Sequence, residues 1–154
     1  MATNDEDIAV LNRLIEPTID SADGYREAAK DAKNPEFKAI FERRATERLA
    51  VFNSLQAQVE ALGGQPEEEG SLLASIHRAF VNLRSAIQSG ASDLAVIDEV
   101  ERGEDRIKSK YEDAIKECRL SASSLAVVQR AYESVRSGHD EMSRLKHSLH
   151  SVHG

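Results

Sequence analysis

From Asp5 onward, Ile8, Leu11, Ile15, Ile19, Ala22, Tyr25 and Ala29 recur at steps of three and four. That spacing draws a single apolar stripe along a long helix ending near Lys33. Pro17 lies inside the stripe, where it removes one backbone hydrogen bond and crowds the preceding turn, so a kink is expected there. Asn34-Pro35 then breaks the chain, because Asn caps helices well and proline suits a first helical turn. A second helix is predicted over Pro35 to about Leu62, with Phe37, Ile40, Phe41, Ala45, Leu49, Phe52, Leu55 and Val59 facing inward, stopped by Gly63-Gly64.

The segment QPEEEG, Gln65 to Gly70, reads as a polar loop, and Ser71 as the cap of a shorter helix carrying Leu72, Ile76, Phe80, Leu83 and Ile87 up to Gly90. A fourth helix follows Ser92, with Leu94, Ile97, Val100, Ile107, Tyr111 and Ile115, and runs to about Cys118. Gly103 within it marks a weak point or a close packing contact. Ser121 opens the last helix, in which Leu125, Val128, Tyr132, Val135, Met142, Leu145 and Leu149 continue the pattern. The long helices span about 40 Å each, and the shorter segment about 27 Å at about 1.5 Å per residue. An excursion of that length can return the chain along the bundle and set the second and fourth helices parallel.

The 154 residues suit one domain, 1–154, and an apolar share of 40% supplies one continuous core. Aromatics are 5% and Trp is absent, so Leu, Ile, Val and Ala must fill that core. The net charge of −7 repels phosphate backbones and anionic lipid, which argues against nucleic acid and membrane partners. The single cysteine, Cys118, forms no internal disulfide, and the acidic MATNDEDIAV start lacks the basic and apolar regions of a signal peptide. With no apolar run near 18–20 residues, the expectation is a cytoplasmic protein, a homo-oligomer in the family setting described next.

Leu11-Asn12, Tyr25, Ala39-Ile40-Phe41 and the Leu62-Gly63-Gly64-Gln65-Pro66 ending resemble the opening helix pair of bacterioferritin and rubrerythrin. The segments GYREAAKD, NPEFKAIF, RATER, LGGQP and GSLLASIHRAF more closely resemble a bacterial family of unknown function in the ferritin-like superfamily. The resemblance implies an all-α, ferritin-like four-helix bundle with an additional shorter crossover helix between the second and third long helices. In metal-competent members, each helical hairpin supplies one Glu from its first helix and a Glu-x-x-His pair from its second. Residues three apart share a helix face, which points a carboxylate and an imidazole together into the bundle.

Carried onto this chain, the first hairpin's ligand positions fall on Thr18, Arg48 and Val51, none of which replaces its ligand. Glu47 lies one residue away, about 100° around the helix. In the second hairpin, Glu104 keeps its carboxylate and His139, followed by Asp140, keeps its imidazole, whereas Arg136 stands where a Glu is expected. The resemblance therefore implies a degenerate di-metal site without a cofactor, in which Arg48 and Arg136 bring positive charge to Glu104. The alternative is a reduced Fe or Mn site around Glu104 and His139, drawing on Glu47, Glu101 and Asp140. It would serve an oxidase or a peroxide-handling protein, against a non-enzymatic structural or interaction protein.

The carboxy-terminal His147, His150 and His153 are spaced for weak Zn²⁺, Ni²⁺ or Cu²⁺ binding, with terminal fraying against it. His77 reads as a helix-boundary residue, and the acidic loop as turn chemistry. Alternating charges such as ERGEDRIKSKYED mark a solvated helix face. No glycine-rich phosphate loop, nucleophile elbow or CxxC pair is present.

Overall fold

A computed structural model describes residues 4–65, 93–117 and 119–153, and every regular element among them is helical. Helix α1 is Asn4–Asp31, α2 is Pro35–Ala61, α3 is Asp93–Glu117 and α4 is Ala122–His153. Helix α1 continues through Pro17 as one element. Asn34 caps α2 from extended backbone, its side chain accepting the Glu36 N–H at 2.9 Å. Gly63 ends α2 with φ +84, a left-handed conformation that a Cβ disfavours, while Gly64 N–H returns to the Val59 carbonyl at 3.0 Å.

Two aspartates fix how the helix pairs meet. Asp93, at the start of α3, accepts the backbone N–H groups of Lys33 and Asn34 at 3.0 and 3.1 Å, so α3 begins beside the α1–α2 turn. Asp7, near the start of α1 and fully buried, accepts the Ser121 N–H at 3.2 Å and its hydroxyl at 2.5 Å. The α3–α4 turn therefore sits at the opposite end. Helices α1 and α2 are antiparallel, α3 and α4 are antiparallel, and α2 runs parallel to α3, as the helix lengths predicted. Packing is heaviest within each hairpin, and α1 meets α3 as α2 meets α4. The predicted crossover helix, His77, nearly all of the QPEEEG loop and Cys118 lie outside the described residues.

The core comes in two apolar clusters. One holds Leu11, Leu14 and Ile15 with Val51, Leu55, Val59, Ile107, Tyr111, Val128 and Val135. The other gathers Tyr25, Ala28, Ala29, Phe37, Phe41, Val96, Ile97 and Met142 near the other end. Fully burying such a side chain contributes about 1.5–3 kcal/mol. Between the clusters lies a layer that is not apolar at all, formed by Thr18, Ser21, Arg48 and Glu104. Gly103 makes no close contact: a Cβ added there would meet nothing within 4 Å, so the tight-packing reading of that glycine is withdrawn. No described helix is long and apolar enough to cross a membrane.

Candidate functional site

The polar layer is built around Arg48 of α2 and Glu104 of α3, whose side chains are 1% and 2% exposed. The guanidinium grips the carboxylate with two parallel bonds, Nη1 to Oε1 at 2.7 Å and Nη2 to Oε2 at 2.9 Å. Ser21 of α1 completes the ring, accepting from Arg48 Nη1 at 2.6 Å and donating to Glu104 Oε1 at 3.2 Å. Burial on its own would pull the guanidinium pKa down, but the Glu104 charge and hydrogen bonds outweigh it and hold Arg48 above its ordinary value. The Arg48 guanidinium also lies 5.6 Å from the centre of the Tyr25 ring.

Two phenols flank this pair. Tyr25 packs its hydroxyl into the layer beside Glu104, and burial, followed by the Glu104 charge, raises its pKa well above the ordinary range. Tyr111 of α3 shares a 2.8 Å hydrogen bond with Thr18, whose hydroxyl also donates to the Leu14 carbonyl at 2.6 Å. Burial pushes Tyr111 up to about 12.

The fourth wall is Gly138 of α4. A Cβ at this position would lie 2.7 Å from both Arg48 Nη2 and Glu104 Oε2, so the absence of a side chain is what lets α4 close over the ion pair. Sequence reasoning missed Gly138 and Ser21. The available signals were a glycine inside an unbroken helix, which calls for a packing reason, and a serine one turn after Thr18 on the same face.

Thr18, Arg48, Val51 and Glu104 all point inward, as the resemblance to metal-binding bundles implies. Arg136 and His139 do not. In α4 the inward positions are Val135 and Gly138, one residue earlier than expected. Arg136 is exposed and pairs with Glu133 of its own helix at 3.6 Å, so the expected second arginine on Glu104 is corrected to a single one. A step of one residue turns a helical side chain by about 100°, which carries Arg136 out to solvent.

The interior accordingly does not fit a two-metal centre. Among the described residues, the polar layer offers one carboxylate, Glu104, already held by a fixed positive charge, and threonine and valine in place of further ligands. Glu47 also stays out of the layer: it accepts from Arg44 Nη1 at 2.9 Å and from the Ser134 hydroxyl at 2.5 Å. Arg44, 8% exposed, further donates to Glu141 of α4 at 2.7 Å, and this clasp joins α2 to α4 outside the polar layer.

His139 stands on the seam between α3 and α4. Its Nε2 is 2.6 Å from Asp105 Oδ1 and its Nδ1 is 3.2 Å from Asp140 Oδ1. Glu101, one turn before Asp105 on α3, joins them, and the three ligand atoms of Glu101, Asp105 and His139 lie within 4.8 Å of one another. Of the residues named for a reduced metal site, the fold thus brings together Glu101 and His139, with Asp140 behind, and leaves Glu104 and Glu47 to arginines. Elsewhere, a groove of about 460 Å³ follows α1 and α3 past Pro17, lined by both signs of charge.

A family model described as a domain of unknown function, DUF2383, matches residues 6–117. The chain belongs to this family. The matched residues of this DUF2383 protein contain all but the first two residues of α1, with α2 and α3, and so Arg48, Glu104, Glu101 and Asp105, while α4 with Gly138 and His139 lies beyond the match. No curated protein matches the chain.

Proposed function

We propose that this DUF2383 chain is a ferritin-like bundle in which an ion pair has replaced the interior metal centre, and that it works as a non-catalytic structural or interaction protein. The observation that carries this reading is the Arg48–Glu104 pair, 1% and 2% exposed, at the level where metal-competent bundles hold their ions. The parallel course of α2 and α3 supports the ferritin-like part of the reading, because it is the one-crossover arrangement of those folds. Arg48 supplies Glu104 with the positive charge an ion would bring, and Ser21 and Gly138 shape the space around it. Arg48 and Ser21 together occupy three of the roughly four acceptor positions of the Glu104 carboxylate and balance its charge, which makes it a poor ligand for a metal ion.

The test reads the interior alone. Protein carrying His139→Ala, purified from cells grown with iron and manganese, is expected to hold less than about a tenth of either ion per chain. Its consumption of oxygen or peroxide with added Fe²⁺ is expected to match that of a Glu104→Gln, His139→Ala variant. Near-stoichiometric iron or manganese that disappears with Glu104→Gln overturns the reading.

A further inference from the structure

We propose that Glu101, Asp105 and His139 form a mononuclear site for a divalent first-row transition ion on the α3–α4 seam, separate from the polar layer inside the bundle. Glu101 and Asp105 are four residues apart, so their carboxylates stack on one face of α3. His139 reaches that face from the antiparallel α4, and all three ligand atoms already lie within 4.8 Å of one another. Ligand bonds of about 2.0–2.2 Å place neighbouring donors roughly 3–3.5 Å apart. The 2.6 Å His139–Asp105 contact therefore opens slightly, and Glu101 closes in, through side-chain rotation alone.

An independent observation concerns the other ring nitrogen. Asp140 Oδ1 sits 3.2 Å from His139 Nδ1, so a carboxylate outside the ligand set holds the ring with Nε2 turned toward Glu101 and Asp105. Metal-bound imidazoles are commonly oriented in this way, which fixes the tautomer and raises the basicity of the ligating nitrogen. The ring is 18% exposed on its side chain and Asp105 55%, so the position is open to incoming ions. One imidazole and two carboxylates suit borderline ions such as Zn²⁺ or Co²⁺. Three protein ligands leave the remaining coordination positions to water or to an exchangeable small ligand.

The competing cation is Lys146, whose Nζ is 2.8 Å from Glu101 Oε2 and 3.9 Å from Asp98 Oδ1. An entering ion displaces this ammonium from Glu101. That makes Lys146 a tuning residue: its removal frees a ligand.

The inference stands independently of the interior reading, since neither Arg48 nor Glu104 takes part. The experiment is calorimetric titration of the full chain with Zn²⁺ alone, in a His147→Ala, His150→Ala, His153→Ala background that removes the terminal histidines. One ion per chain is expected, with Kd on the order of micromolar. His139→Ala and Asp105→Asn are each expected to weaken binding at least about tenfold, Asp140→Asn by less, and Lys146→Ala to tighten it a few-fold. Unchanged circular dichroism establishes that each variant is folded. No saturable binding in that background, or binding indifferent to both His139→Ala and Asp105→Asn, overturns the proposal. So does binding lost only with Glu104→Gln, which would place the ion in the interior.

Discussion

At the scale of single residues, the polar layer depends on a side chain that is missing. Gly138 carries the usual helix penalty of about 0.8–1 kcal/mol relative to alanine, yet a methyl group here would press at 2.7 Å on both members of the ion pair. Gly138→Ala is therefore expected to destabilise the bundle by about 1–3 kcal/mol despite its better helix propensity. Gly103→Ala, with nothing within 4 Å of the new Cβ, is expected to stabilise it by about 0.5–1 kcal/mol. Urea unfolding of the two variants checks both signs, and a stabilised Gly138→Ala protein would show that the layer is looser than described. Arg48 was legible from the sequence because a family register points at one position and an arginine there demands a partner. Gly138 was not, because a glycine announces neither charge nor chemistry and its role appears only when three other helices surround it.

At the scale of helices, the stripes were readable because a period of 3.6 repeated over 25 or more residues leaves little ambiguity. The register of α4 was harder to read. Val135 and Arg136 are adjacent in sequence, and only packing against α2 and α3 decides which of them turns inward. The outcome follows from chemistry already present in the layer. Arg48 fills the space beside Glu104, and a second buried guanidinium would add an uncompensated charge, whereas valine and glycine fit around the first. That one-residue step also moves His139 from the interior to the seam, where it meets Glu101 and Asp105 of the neighbouring helix. The rim clasp of Arg44 with Glu47 and Glu141 escaped sequence reading for a related reason: its charges sit in stretches that resemble ordinary solvated faces.

At the scale of the whole molecule, the layer makes stability depend on alkaline pH. Tyr25 and Tyr111 are both held above the ordinary phenol value of 10.0, Tyr111 at about 12. A group whose pKa is raised by folding contributes stability that is complete below its unfolded value and is lost as pH rises through its folded value. Between about pH 10 and 12, Tyr111 alone is expected to remove roughly 2–3 kcal/mol. Half-buried Tyr132, at the edge of the core and donating to Glu112 at 2.7 Å, is expected to titrate without unfolding. Absorbance at the tyrosinate band should therefore rise in two stages, the second coinciding with loss of helical circular dichroism. Three phenols titrating with the helices intact would contradict this account. The parallel pairing of α2 and α3 was legible from helix lengths, but the means of holding it was not, since nothing in the sequence ties Asp7 to Ser121 or Asp93 to Asn34. Those two aspartates also bear on the order in which the molecule assembles. Helices α1 with α2 and α3 with α4 are neighbours in sequence and close cheaply, whereas Asp7, Asp93 and the Arg48–Glu104 pair all join one hairpin to the other across long chain separations. Docking of two preformed hairpins then comes late. Asp7→Ala and Asp93→Ala should accelerate unfolding several-fold while leaving the refolding rate nearly unchanged, a signature that stopped-flow chevrons read directly. The latches that set the topology would then act as brakes on its loss rather than as guides to its formation.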